Sequence, residues 1–207
     1  MRANASQGIP LTLMIIAATA IVFVLQGLLP VTDTIAFTPS LFYSGFYWQP
    51  LTYLLTHGGI FHIFINMFVL FIFGLPVEQM LGKKKFLFLY LVSGIGSALL
   101  YLAITGFAEN TLVGASGAVY GVVTAFAFKR PKEIIWIFPG IPLPAAGALG
   151  AIIVIELVAG IANLEPGVAN FGHLGGIITA AIIMLAWRFS GRTKRAQTFH
   201  GLEFAWE

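Results

Sequence analysis

No cysteine occurs among the 207 residues, which excludes a disulfide framework, a thiolate nucleophile and zinc–thiolate ligation. Charge is nearly as scarce: Asp, Glu, Lys and Arg make up 9% of the chain, against about 25% in an ordinary soluble domain. Asp33 is the single aspartate and precedes most of the apolar sequence, so the usual aspartate pair of an aspartyl intramembrane protease is missing. No His-Glu-x-x-His run is present, and His57 and His62 are five residues apart, poorly phased for shared metal ligation on one helix. Neither a metal nor another cofactor is expected.

What the chain has in excess is apolar surface. Hydrophobic residues make up 58% of it, more than one soluble core of this length can bury, and lipid is the solvent that resolves the excess. Apolar runs at about 10–29, 59–81, 86–106, 112–128, 143–162 and 168–189 predict six transmembrane helices. The fold class is an all-α membrane protein: one domain over 1–207, with its core at about 10–189 and a short soluble tail over 190–207 that holds His200 and Trp206. The first run follows Arg2 as a signal peptide would. It exceeds the usual h-region and lacks a small-residue cleavage site, so it reads as an uncleaved helix.

The sparse charges give the topology. Arg2, Lys83, Lys84, Lys85, Lys129, Arg130, Lys132, Arg188, Arg192, Lys194 and Arg195 are all eleven basic residues, and six spans put every one on the same side. The positive-inside rule makes that side cytoplasmic, with both termini there. These basic loops imply no nucleic-acid partner. The opposite loops hold only the acids Asp33, Glu109 and Glu165. The first of those loops, about 30–58, carries Phe37, Phe42, Tyr43, Phe46, Tyr47, Trp48 and Tyr53 and no Lys or Arg. It is expected to lie partly in the membrane interface as short helices.

Polar residues inside the runs share one depth. His62 and Asn66 in the second run, Ser116 in the fourth and His173 in the sixth all lie near the outer end. At about 1.5 Å per residue each is some 5–15 Å below that boundary. His62 and Asn66 are four apart, as are Ser116 and Tyr120, so each pair shares a helix face. Gly117 and Gly121 on one run, with Gly172, Gly176 and Ala180 on another, form small-residue stripes whose contact would bring Ser116 to His173. Serine is a weak nucleophile until a base takes its proton, which His173 can do. The nearness of Ser116 to a helix N-terminus, with His62 and Asn66 as further donors, suits a developing oxyanion. No acid presents itself as a third member. Asp33 is in a loop, Glu78 is near the cytoplasmic boundary where it caps or pairs, and Glu156 reads as deep in the fifth run with no assigned role. The expectation is a Ser116–His173 dyad, its imidazole held by packing against Tyr120. His57 reads as an interfacial polar residue.

At these residues the chain resembles the rhomboid intramembrane serine proteases. The matching segments are His62-Ile-Phe-Ile-Asn66, Gly114-Ala-Ser116-Gly117-Ala-Val-Tyr120-Gly121 and Gly172-His173-Leu-Gly-Gly176, with Glu78 in a further family motif. The resemblance implies Ser116 as nucleophile and His173 as general base. It also implies an oxyanion hole of His62, Asn66 and the Ser116 amide, Tyr120 stacked on His173, and Gly114 and Gly117 in support. The fifth span and the loop at about 164–168 would move to admit a substrate helix. One departure stands out: family members often carry Trp-Arg in the first loop, where this chain has Trp48-Gln49. The implied function is cleavage of single-span membrane proteins near the outer face, in the cytoplasmic membrane of a prokaryote, with lipid and those substrates as partners. Two other classes compete. An inactive rhomboid-like helix binder usually lacks the Ser or the His, and a small-solute transporter more often shows broken helices in paired repeats. The sequence does not indicate an oligomeric state.

Overall fold

The computed structural model describes residues 8–107, 109–137, 140–162 and 170–197, side chains at 137 and 189–197 excepted. Arg2, Glu165, the 164–168 loop, the start of the sixth run at Val168 and the tail residues His200 and Trp206 lie outside the described residues. So do the side chains of Arg192, Lys194 and Arg195.

In chain order, helix α1 (Leu11–Leu28) is followed by the short helices α2 (Thr32–Ile35), α3 (Pro39–Tyr43) and α4 (Gln49–Thr52) and a 3-10 turn at Tyr53–Leu55. Helices α5 (Ile60–Leu81), α6 (Lys83–Thr105) and α7 (Ser116–Lys129) come next. A hairpin of β1 (Ile134–Ile137) and β2 (Ile141–Pro144) then leads into α8 (Ala145–Ala162) and α9 (Asn170–Gln197). Among the described residues, α1, α5, α6, α8 and α9 are each long and apolar enough to cross a membrane.

The remaining apolar helix, α7, is the central post. Ten of its 14 residues are buried, the pattern of a helix surrounded by protein on all sides. At about 1.5 Å per residue it is only about 21 Å long, short of the ~30 Å hydrocarbon layer. The predicted start at 112 is corrected: residues 112–115 precede the helix. Leu112 exchanges backbone hydrogen bonds with Phe37 at 2.7 and 3.1 Å, and Gly114 adopts φ +106°, which no helix accommodates. Ser116 is thereby left as the first helical residue.

Small residues let the post be approached closely. A side-chain carbon at Gly176 of α9 would overlap the Gly117 carbonyl, and one at Gly121 would meet Ser93 of α6 and lie 3.5 Å from Ala180. The glycine stripes of α7 and α9 therefore face each other.

At one end of the bundle, the Glu78 carboxylate of α5 accepts the Leu11 and Thr12 amides at 2.8 Å and the Thr12 hydroxyl at 2.7 Å. These amides are among the free donors of the first α1 turn, where Pro10 supplies no side-chain cap. Beside it, Lys83 donates to the Gly8 and Ile9 carbonyls at 3.1 and 2.8 Å. Lys85 lies 5.3 Å over the Trp187 ring, and Lys129 and Arg130 finish α7 at the same end. The described basic residues thus collect opposite Ser116.

The aromatic loop folds onto the other end. Phe37 and Tyr53 are wholly buried in the core, whereas Tyr47 and Trp48 are exposed. The Gln49 side chain is also wholly buried. Its Oε1 accepts the Thr38 amide at 3.1 Å and its Nε2 donates to the Thr34 carbonyl at 3.4 Å. An uncharged amide thus ties the loop at the position where an arginine is usual in the resemblance.

Two further expectations are corrected. The structure is mostly helical but not all-α: Ile134 to Ile137 pair antiparallel with Pro144 to Ile141. The run Ile-Ile-Trp-Ile has high strand propensity, and the following Pro and Gly form a turn signal. In addition, α9 continues to Gln197, past the apolar run. No proline follows Phe189 to stop it, so the polar sequence propagates the helix already formed.

Candidate active site

Three helix N-terminal regions meet at the end away from the basic residues. Ser116 opens α7, His62 is two residues into α5, and His173 is three residues into α9. Across the α7–α9 contact, Ser116 Oγ lies 2.8 Å from His173 Nε2. The other imidazole nitrogen, Nδ1, lies 3.0 Å from Glu156 Oε2 on α8. Glu156 also accepts the Tyr120 hydroxyl at 2.7 Å and the Asn170 side-chain amide at 2.9 Å. The Tyr120 ring packs against the imidazole with centroids 4.8 Å apart and planes tilted 47°.

The expectation that no acid accompanies Ser116 and His173 is therefore corrected. Helix direction is the physical reason. Helix α8 runs toward the site, and Glu156 is six residues before its end at Ala162, only about 9 Å of rise. It thus lies at the depth of His173, not deep in the bundle. Gly160, one turn beyond Glu156 on the same face, permits the close approach: a side-chain carbon there would sit 3.2 Å from Asn170 and from the Phe171 ring. Asn170 escaped the sequence reading, although its spacing of three from His173 puts both on one face of α9.

His62 and Asn66 border the same cavity as His173. The Gly58 amide donates to His62 Nδ1 at 3.4 Å, so in the neutral ring Nε2 carries the proton. That nitrogen faces the turn before Ser116: a side-chain carbon at Gly114 would come within 2.7 Å of it. Asn66 is buried and donates one amide hydrogen back to the His62 carbonyl at 2.9 Å, leaving a second hydrogen for another acceptor.

His57 is not the interfacial residue expected from its loop position. It is 4% exposed, its ring lies 5.1 Å from that of His62, and its Nε2 accepts the Ala115 amide at 3.4 Å. Burial, reinforced by the neighbouring His62, pushes its pKa from 6.5 to about 4. It thereby holds the turn that delivers Ser116.

The site borders a cavity of about 1170 Å³ whose walls include Ile65, Val69 and Phe73 of α5 and Ile152 of α8. Ser116, His173, His62, Asn66 and Tyr120 all border it. Among the described residues, no group of His, Asp and Glu side chains is arranged to hold a metal ion. The arrangement offers a hydroxyl hydrogen-bonded to a base, with backbone and side-chain donors nearby.

The fold and site define a multi-pass membrane protein with a largely apolar cavity, bordered by Ser116, His173, His62 and Asn66, at one end of its bundle. The chain belongs to the rhomboid family: a Rhomboid domain model matches residues 44–189. It is 35% identical over 132 residues to RHOMBOID-like protein 6, mitochondrial, of Arabidopsis thaliana, covering 64% of this chain and 41% of that protein. It is 31% identical over 162 residues to Rhomboid protease AarA of Providencia stuartii, covering 70% of this chain and 57% of the relative. With Rhomboid protease GluP of Bacillus subtilis (strain 168) the identity is 30% over 139 residues, 67% of this chain and 26% of the relative. The chain thus spans from about a quarter to just over half of these relatives' lengths.

Proposed function

We propose that this chain is an intramembrane serine endopeptidase that cleaves transmembrane helices of single-span proteins near the outer face. The carrying observation is the 2.8 Å approach of Ser116 Oγ to His173 Nε2 beside a cavity bordered by His62 and Asn66. Kinship with bacterial proteins named rhomboid proteases supports the same reading.

In this reading α7 counts as a sixth, short span, both termini are cytoplasmic, and the site faces outward. The membrane is the cytoplasmic membrane of a prokaryote. A substrate helix enters laterally past α8 and unwinds where water reaches the cavity, because non-helical backbone at membrane depth needs protein or water to satisfy it. Ser116 Oγ attacks the scissile carbonyl as His173 Nε2 takes its proton. The oxyanion is held by the Ser116 amide with His62 Nε2–H and the second Asn66 amide hydrogen. His173 then gives its proton to the leaving amine, and water hydrolyses the acyl-enzyme by the reverse sequence.

The test is activity-based labelling with a fluorophosphonate, paired with cleavage of a panel of single-span proteins in proteoliposomes. Wild type should label and cleave, while Ser116→Ala and His173→Ala should do neither. Undiminished cleavage by Ser116→Ala would overturn the assignment.

A further inference from the structure

We infer that Glu156 is the positioning carboxylate of the Ser116–His173 pair, so that the working unit is a serine–histidine–glutamate triad drawn from three helices. The inference rests on the protease reading above and deepens it.

Three donors converge on Glu156: the Tyr120 hydroxyl, the Asn170 amide and His173 Nδ1. A carboxylate has only acceptor sites, so this surrounding suits it without a competing acceptor. A carboxylate at 3.0 Å from Nδ1 requires the hydrogen there, which leaves the Nε2 lone pair facing Ser116 Oγ. That tautomer is the one able to accept the serine proton. When the proton moves from Oγ to Nε2, the imidazolium keeps both of its hydrogens and Glu156 stays ionised beside it. No proton passes to the carboxylate, and its work is orientation and charge stabilisation.

Only Ala145, Ala148, Glu156 and Ala159 of α8 are buried. Among the described residues, the side-chain hydrogen bonds from α8 to other elements all come from Glu156. Ser116 and His173 sit on α7 and α9, so the carboxylate reaches the imidazole only while α8 is docked. Displacement of α8 and loss of the His173 tautomer are then one event.

Glu156→Gln separates this role from mere attachment of α8. A glutamine amide can donate to Nδ1 and so favour the wrong tautomer, at nearly unchanged size. The full chain in proteoliposomes should lose kcat by about 10²–10⁴-fold, as a triad deprived of its acid does, with KM within about threefold of wild type. Fluorophosphonate labelling should slow in parallel, and Glu156→Asp should recover part of the rate. Nitrogen-edited proton NMR should show a low-field Nδ1–H signal from His173 in Ser116→Ala that disappears when Glu156→Gln is added. Wild-type kcat in Glu156→Gln would overturn the positioning role alone. A raised KM and lowered melting temperature, with kcat and the Nδ1–H signal retained, would overturn it in favour of a purely structural tie. A wild type that neither labels nor cleaves would remove the protease reading and this role together.

Discussion

Gly176 of α9 packs against the carbonyl of Gly117 of α7 so closely that any side chain at 176 would overlap it. This contact sets the Ser116–His173 distance, because each glycine lies within three residues of one partner. Gly176→Ala should force the two helices apart and cut cleavage by about 10²-fold, the expected cost of an ångström-scale misplacement. Thermal unfolding should show a destabilisation of about 1–3 kcal/mol from overpacking. Gly150→Ala is the control: nothing lies within 4 Å of that position, and activity should be unchanged.

Tyr120 contributes a ring to His173 and a hydroxyl to Glu156. Tyr120→Phe keeps the first contact and removes the second. The loss of one hydrogen bond to a charged group, about 1.5–3 kcal/mol, should lower kcat by at least tenfold without changing KM. Tyr120→Leu should cost more, since the ring contact goes as well. Steady-state kinetics on one cleavable substrate would rank the variants.

His57 makes stability depend on pH. Its folded pKa of about 4 lies below its ordinary 6.5, so the neutral ring is favoured by the fold. The contribution is present above pH 6.5 and is lost as pH falls toward 4, amounting to about 3 kcal/mol at 1.36 kcal/mol per unit. Protonation would also take the Nε2 lone pair from the Ala115 amide and loosen the turn before Ser116. Melting temperatures measured between pH 7 and pH 4 should fall more steeply for wild type than for His57→Gln. Parallel slopes would count against this account.

Gln49 anchors the first loop through two backbone groups. Gln49→Ala should leave the Thr38 amide without its partner, at about 1–3 kcal/mol. The readout is faster proteolysis within residues 30–58. Gln49→Glu, which would set a buried carboxylate against the Thr34 carbonyl, should speed proteolysis at least as much.

Glu78→Ala removes the acceptor of two α1 amides and the Thr12 hydroxyl. An N-cap loss of about 0.5–2 kcal/mol is the minimum expected. The exposed amides at Leu11 and Thr12 should exchange hydrogen faster while Ser116 labelling persists. Loss of labelling without faster exchange would contradict a capping role.

Much of this was visible in one dimension. Apolar runs located α1, α5, α6 and α8 to within a few residues of their ends, because lipid makes length and composition sufficient to specify a spanning helix. Glu78 was legible as a boundary cap. The grouping of His62, Asn66, Ser116 and His173 was legible because all four lie close to helix starts, where depth can be counted directly. The hairpin has its own local signal in Ile134-Ile-Trp-Ile and the turn residues after it.

Glu156 is where counting along the chain stopped being enough. A carboxylate in an apolar run has a depth, which requires the direction of its helix, and an azimuth, which requires knowing what packs on each side. Gly160 and the N-terminal turn of α9 settle the azimuth through contacts between segments that are remote in sequence. Gln49 poses the same problem, since its amide works only because Thr34 and Thr38 return to meet it. Hydrophobic periodicity is a property of single segments and survives being read alone. The partner of a buried polar atom is a property of pairs of segments, and it came into view only once the helices were packed.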